Sequence, residues 1–262
     1  MITILTEEYP QEKDVACILS HIFKKRVENV VYDVPFDDEG MWTWVLNIRG
    51  FENVSIEFIK PGGSMCDYIV MRDGEPFLLV EATQTTESES RNTCFGQRAT
   101  KLVVARQYYP DIPFIFMYSQ RPTSETDTAR LHSRLYKTNG AMVIYRDDPF
   151  TDVIGDVQPF ETVNELIFRV NSIKKKAGNV PLLIYQTDFD TFTINALLSK
   201  GVTRQICNDP NIGIVSLLAS TIHRLIPSCK IWVTSHGVEK MCSPSHKFMM
   251  ANRQIDLRLK GF

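Results

Sequence analysis

The sequence predicts an α/β protein: a mixed central sheet flanked by helices, followed by a C-terminal α/β extension. Three observations carry that expectation. Two apolar, β-rich runs, Asp67–Arg72 and Phe77–Thr83, flank an Asp73-Gly74 turn signal and read as a β-hairpin. Apolar residues recur with helical spacing on both sides of this hairpin, at 11–27 and about 93–109. Further short β-rich runs alternate with helical ones, the pattern of chains that lay helices on a sheet.

The elements follow in order. In 11–27, Val15, Ile18, Leu19, Ile22 and Phe23 form an apolar helical stripe, and Lys24, Lys25 and Arg26 suit the negative end of that helix. Residues 41–49 are aromatic and β-branched and predict a strand. In 53–59, Val54, Ile56 and Phe58 face one way while Ser55, Glu57 and Ile59 face the other. The Pro61-Gly62-Gly63 turn leads into the hairpin. A polar stretch then precedes the helix at about 93–109, whose buried side is Phe95, Ala99, Leu102 and Val103. Strands are predicted at 113–119 and 141–146, with a helix at 123–139 marked by Leu131 and Leu135. The polar, turn-rich segment 147–159 is the expected boundary between a core at 1–150 and a recognition or dimerisation part at 151–262. Beyond it come helices at 160–174, near 190–200 and at 212–225, and strands at 182–186 and 230–234.

The chain has 262 residues, 44% apolar and 23% charged, as in ordinary soluble globular proteins. A net charge of −2 neither favours nor excludes nucleic acid as a partner. The six cysteines show no close-paired spacing, so reduced thiols in a cytoplasmic protein are expected. The N-terminal stretch is acidic without a long apolar run, and nothing approaches the ~20 apolar residues of a membrane span, so neither a signal peptide nor a membrane partner is expected.

The hairpin carries the chemistry. Paired residues of an antiparallel ladder have numbers with a constant sum. A three-residue loop of Asp73, Gly74 and Glu75 makes that sum 148 and sets Asp67 directly across from Glu81. Carboxylates so placed have Cβ atoms roughly 4.5–5.5 Å apart and repel one another. A divalent cation such as Mg²⁺, which prefers carboxylate oxygens, turns that repulsion into a site. A two-residue loop gives an odd sum and opposite faces unless a bulge intervenes.

An Asp opening one strand, a turn, and an apolar strand ending in Glu-Xaa-Xaa together resemble the PD-(D/E)XK nuclease signature. The following helix and strand resemble the common core of that superfamily, over about residues 11–119. The resemblance implies a restriction-endonuclease-like core in which Asp67 and Glu81 bind Mg²⁺. Cys66 stands where the family has proline. Thr83 stands where the family has the lysine that orients or activates the attacking water. Its hydroxyl can hold a water but brings no charge; Lys101 on the next helix, or Gln84 or Gln97, is the replacement considered. Glu57 is a third candidate carboxylate and Glu12 a more distant one.

The activity so implied is metal-dependent endonucleolytic cleavage of double-stranded DNA at a specific site. A homodimer in the manner of type II restriction endonucleases would match a palindrome. Two alternatives share the core: an RNA endonuclease resembling the cap-snatching enzymes, whose lysine also lies apart from the acids, and a nucleic-acid-binding module without catalysis. Asn252, Arg253 and Gln254 carry side chains suited to base edges. Cys229, His236, Cys242 and His246 are potential zinc ligands, but their spacing fits no common finger.

Overall fold

A computed structural model describes residues 1–34, 40, 43–59, 66–83, 98–99, 101–103, 105–106, 109–119, 127–174, 182–185, 191–195, 210–227 and 230–234. The chain forms two compact units, each assembled from separated stretches. The first contains Met1–Glu87, Asp111–Pro122 and Ala141–Gly155; the second contains Ser88–Pro110, Thr123–Gly140 and Asp156–Phe262. The last passage between units, at Gly155/Asp156, falls within the polar segment 147–159.

The first unit is an eight-stranded mixed sheet with one helix against it. Its strands are β1 (Ile2–Thr6), β2 (Tyr32–Asp33), β3 (Val45–Ile48), β4 (Val54–Phe58), β5 (Tyr68–Arg72), β6 (Glu75–Ala82), β7 (Phe114–Tyr118) and β8 (Ala141–Tyr145), and its helix is α1 (Glu12–Phe23). They are ordered β2-β3-β4-β1-β5-β6-β7-β8. β3 and β5 run against the other six, so the carboxyl ends of β1, β4, β6, β7 and β8 share one edge with the start of β5.

The two faces of this sheet differ. On one, Ile4, Ile56, Tyr68, Val70, Val80, Ala82, Met117 and Ile144 pack into a core with Val15, Ile18 and Leu19 of α1. On the other, Leu79, Glu81, Phe114, Phe116 and Val143 are buried along β6–β8, whereas Glu57, Ile69 and Met71 of β4 and β5 are partly or fully exposed. Strands buried on both sides read as continuous apolar runs, which is why FIFMY and FLLVEA were conspicuous in the sequence.

Three stretches depart from the sequence expectation. β1 was not foreseen, although ITILT alternates buried and half-buried residues; it is a five-residue run without a flanking turn signal, yet it lies between β4 and β5. β2 is two residues long and has no pattern to detect. The helix expected near 190–200 is corrected to a strand at Thr191–Asn195, pairing in parallel with Lys230–Thr234 and antiparallel with Leu182–Tyr185. The sequence TFTIN is β-branched and aromatic, and such residues favour a pleated surface.

The second unit holds helical residues at 98–99, 101–103 and 105–106, then α2 (Asp127–Thr138), α3 (Val163–Lys174) and α4 (Pro210–Leu225), and a three-stranded sheet of β9 (Leu182–Tyr185), β10 (Thr191–Asn195) and β11 (Lys230–Thr234). α2 ends at Gly140, whose φ of +72° is the left-handed value that glycine adopts without strain. The Arg106 guanidinium donates to the carbonyls of Asn139 and Gly140 at 2.8 and 2.7 Å, closing that helix end. Buried Asn139 bonds Thr221 and Ser220 of α4 at 2.8 and 2.7 Å. Arg134 bridges α2 to Glu165 of α3 at 2.5 Å. Among the described residues, no helix is long and apolar enough to cross a membrane.

Candidate functional site

The hairpin tip is tighter than the three-residue loop the sequence reading used. Asp73 and Gly74 both have positive φ, 52° and 88°, and form a two-residue turn between Arg72 and Glu75. Such a turn matches the twist of the flanking strands. Paired numbers near it sum to 147: Arg72↔Glu75 and Met71↔Pro76. A bulge then leaves Phe77 as an extra residue, and the pairs beyond it, Val70↔Leu78, Ile69↔Leu79 and Tyr68↔Val80, sum to 148. Pro76, which cannot donate to the ladder, occupies the irregular position where proline is tolerated. Asp67 lies one residue before the last printed step, and this register, if continued, would set it opposite Glu81.

The pair lies at the carboxyl edge of β6. Glu81 is 1% exposed and lies beside Phe116 of β7. Asp67 precedes β5, and its Oδ2 accepts the Ala82 N–H at 2.8 Å, replacing a ladder bond that the end of β5 does not supply. Thr83 is buried, and its N–H donates to the Met117 carbonyl at 2.9 Å, holding the end of β6 against β7. Glu81 and Thr83 are two apart in extended chain and share a face.

On the α1 side of the same edge lies a charged group that sequence reasoning missed. Asp14, in the first turn of α1, is buried; it accepts the Tyr68 hydroxyl at 3.1 Å on Oδ2 and the Arg146 Nε–H on Oδ1. Arg146 follows β8, where its N–H donates to the Tyr118 carbonyl at 3.0 Å. Burial pushes the Asp14 carboxyl above the usual aspartate range; Arg146 and Tyr68 pull it down, and the charge of Asp67 pushes it up further. Burial likewise pushes the Tyr68 phenol up. The signal for Asp14 was its position four residues before Ile18 on the apolar stripe, since a buried carboxylate needs a partner. Arg146 lies 132 residues away and left no such mark.

The remaining expected residues are more scattered. Glu57 shares the face of Glu81, but β1 and β5 separate β4 from β6, so it stands roughly 10 Å across the sheet even from Ile69 of β5. It is exposed, as is Glu12. Lys101 is half-buried on helical residues of the second unit. Gln84, Gln97, Asn252, Arg253 and Gln254, and the Cys229, His236, Cys242 and His246 set, lie outside the described residues. Among the described residues, no group of three or more His, Cys, Asp or Glu side chains gathers as a metal site.

Comparison with protein-family models, curated proteins and solved structures returns no match to this chain.

Proposed function

We propose that this chain is a divalent-cation-dependent endonuclease that hydrolyses phosphodiester bonds in double-stranded DNA. The observation that carries the reading is the hydrogen bond from the Ala82 N–H to Asp67 beside buried Glu81, in a register that, continued one step, would set the two acids opposite one another. Asp67, Glu81 and Thr83 offer only oxygen, the donor chemistry that suits Mg²⁺. When bound, that ion supplies Lewis-acid polarisation of a phosphoryl oxygen and a bound water of lowered pKa. The Ala82 N–H fixes one oxygen of Asp67 in advance, and burial confines Glu81, so little ordering is left for substrate binding to pay. In this reading the Thr83 hydroxyl, on the same strand face, is the group that would hold a water beside Glu81. The site also lies outside the carboxyl ends of parallel strands, where open α/β sheets bind their ligands.

The test is cleavage of supercoiled plasmid and of RNA, each with Mg²⁺ or with EDTA. Plasmid should be cut only with Mg²⁺, and Asp67→Ala or Glu81→Ala should slow cleavage by about 100-fold or more, since metal stabilisation of transition-state charge is worth several kcal/mol. Cleavage that survives either substitution overturns the assignment. Cutting of RNA but not plasmid moves the substrate class to RNA.

A second reading is favoured by Thr83 at the lysine position: a nucleic-acid-binding module that keeps the architecture without the chemistry. Its signature is binding of either substrate with no cleavage in any metal.

A further inference from the structure

The two acids of the proposed site are held by unequal means. Glu81 lies within β6, between β5 and β7, and is almost wholly enclosed. Asp67 stands one residue before β5, beyond the last paired rung, Tyr68↔Val80. Its carboxylate nevertheless takes the place of a rung, since Oδ2 accepts the Ala82 N–H at 2.8 Å. A residue outside the ladder keeps such a bond only where the start of its strand is fixed by other contacts.

Tyr68 supplies those contacts. It is buried, and its ring belongs to the core between the sheet and α1. Its hydroxyl donates to Oδ2 of buried Asp14 at 3.1 Å and accepts the Gln11 N–H at 3.4 Å, so it is tied to both the first turn and the N-cap residue of α1. A hydroxyl bonded to a carboxylate makes a stronger bond than one between neutral groups. The Tyr68 carbonyl accepts the Cys66 thiol at 3.3 Å, a bond that spans Asp67. Successive side chains of extended chain leave the backbone on opposite sides. The tether therefore acts through the main chain: clamping Tyr68 against α1 sets where the Cα of Asp67 lies and which way its side chain departs. No atom of Tyr68 has to reach the face that carries Glu81.

We infer that Tyr68 is a positioning residue for the acid site: anchored to α1 through its hydroxyl, it holds Asp67 against the Ala82 N–H and so presets that carboxylate for a divalent cation. The cation half of this inference rests on the endonuclease reading above, whereas the tether does not.

The test compares the full chain as wild type, Tyr68→Phe and Tyr32→Phe. Tyr68→Phe deletes only the anchoring hydroxyl. Tyr32→Phe is the control, because it removes a hydroxyl from the same buried core that has no hydrogen-bond partner among the described residues. Amide hydrogen exchange at Ala82, followed by NMR, should quicken about 10-fold in Tyr68→Phe, the low end of what a hydrogen bond to a charged group is worth. Mn²⁺ affinity, measured by calorimetry without nucleic acid, should fall about 10-fold, as when a group that orients a metal ligand is lost. Plasmid cleavage by Tyr68→Phe should be slow at limiting Mg²⁺ and recover as Mg²⁺ is raised. Tyr32→Phe should match wild type in all three. Far-UV circular dichroism checks the fold; should Tyr68→Phe fail to fold, Asp14→Glu, which keeps the charge but moves the acceptor by one methylene, should show the same losses. A folded Tyr68→Phe with unchanged Ala82 exchange or unchanged Mn²⁺ affinity overturns the positioning role and leaves the endonuclease standing. A wild type that binds Mn²⁺ and cuts no nucleic acid removes the endonuclease reading and leaves Tyr68 in its role, and a wild type that binds no Mn²⁺ overturns both.

Discussion

Replacing Asp14 by asparagine removes a buried counter-charge of the Arg146 guanidinium while keeping an oxygen for the Tyr68 hydroxyl. The side chains of Asp14 and Arg146 are 3% and 12% exposed, so solvent screens neither well. Breaking a buried pair by removing one partner costs about 3–5 kcal/mol, because the other charge stays buried and uncompensated. The slight exposure of Arg146 places Asp14→Asn near 3 kcal/mol, the low end of that range. Arg146→Met abandons a carboxylate that burial already biases toward its neutral form. In that variant the folded state binds a proton more readily than the unfolded chain. Its deficit should therefore grow as pH rises above the ordinary aspartate range and shrink as pH falls toward it. The double variant removes both charges and should cost about 2 kcal/mol or less, giving a coupling of several kcal/mol. Urea unfolding followed by far-UV circular dichroism and intrinsic tryptophan fluorescence measures all four corners of the cycle. Costs that add to within about 0.5 kcal/mol would refute a buried pair.

Two further outcomes concern the second unit. His132 on α2 is buried, and burial lowers its imidazole to about 4. The unfolded chain takes up this proton near 6.5 and the folded one does not, so stability should fall as pH drops from about 6.5 toward 4. The full effect is about 3 kcal/mol from the 2.5-unit gap. His132→Gln should flatten that slope, and an unchanged difference between pH 7 and pH 4.5 would count against it. Asn139 makes three side-chain hydrogen bonds in a buried position, to Leu135, Thr221 and Ser220. Asn139→Ala should cost about 3 kcal/mol at roughly 1 each, and a loss below about 1 kcal/mol in thermal or urea unfolding would contradict that account.

What the sequence disclosed depended on how local the cause was. The hairpin was legible because Asp73-Gly74 is a turn signal between two runs too apolar to be loop. The alternation of Val54, Ile56 and Phe58 gave both the strand and its buried face. The sum of 148 beyond the tip was anticipated, but the route to it was not. The sequence reading reached a sum of 148 with a three-residue loop, whereas the chain uses a two-residue turn and a bulge at Phe77. Nothing in Pro76-Phe77-Leu78 distinguishes a bulge from regular strand. The pairing of Asp14 with Arg146 was invisible for a different reason: it exists only because α1 and the end of β8 meet on one face of the sheet, which is a property of topology. TFTIN was misassigned because its neighbours, Ala196-Leu197-Leu198, are good helix formers and pulled the window their way.

The bulge also sets how the hairpin tolerates loss of a residue. Deleting Phe77 would leave a regular hairpin in which Val70 still meets Leu78 and Asp67 still meets Glu81, so the acids should stay in place. Deleting Leu78 instead yields a chain of the same length that carries Phe where the other carries Leu, so it should keep the same register. Only a second deletion in this run would bring Glu81 opposite Tyr68 and turn it into the apolar packing against α1. The bulge thus holds one residue in reserve: the hairpin can shorten by one without a register slip, and by no more.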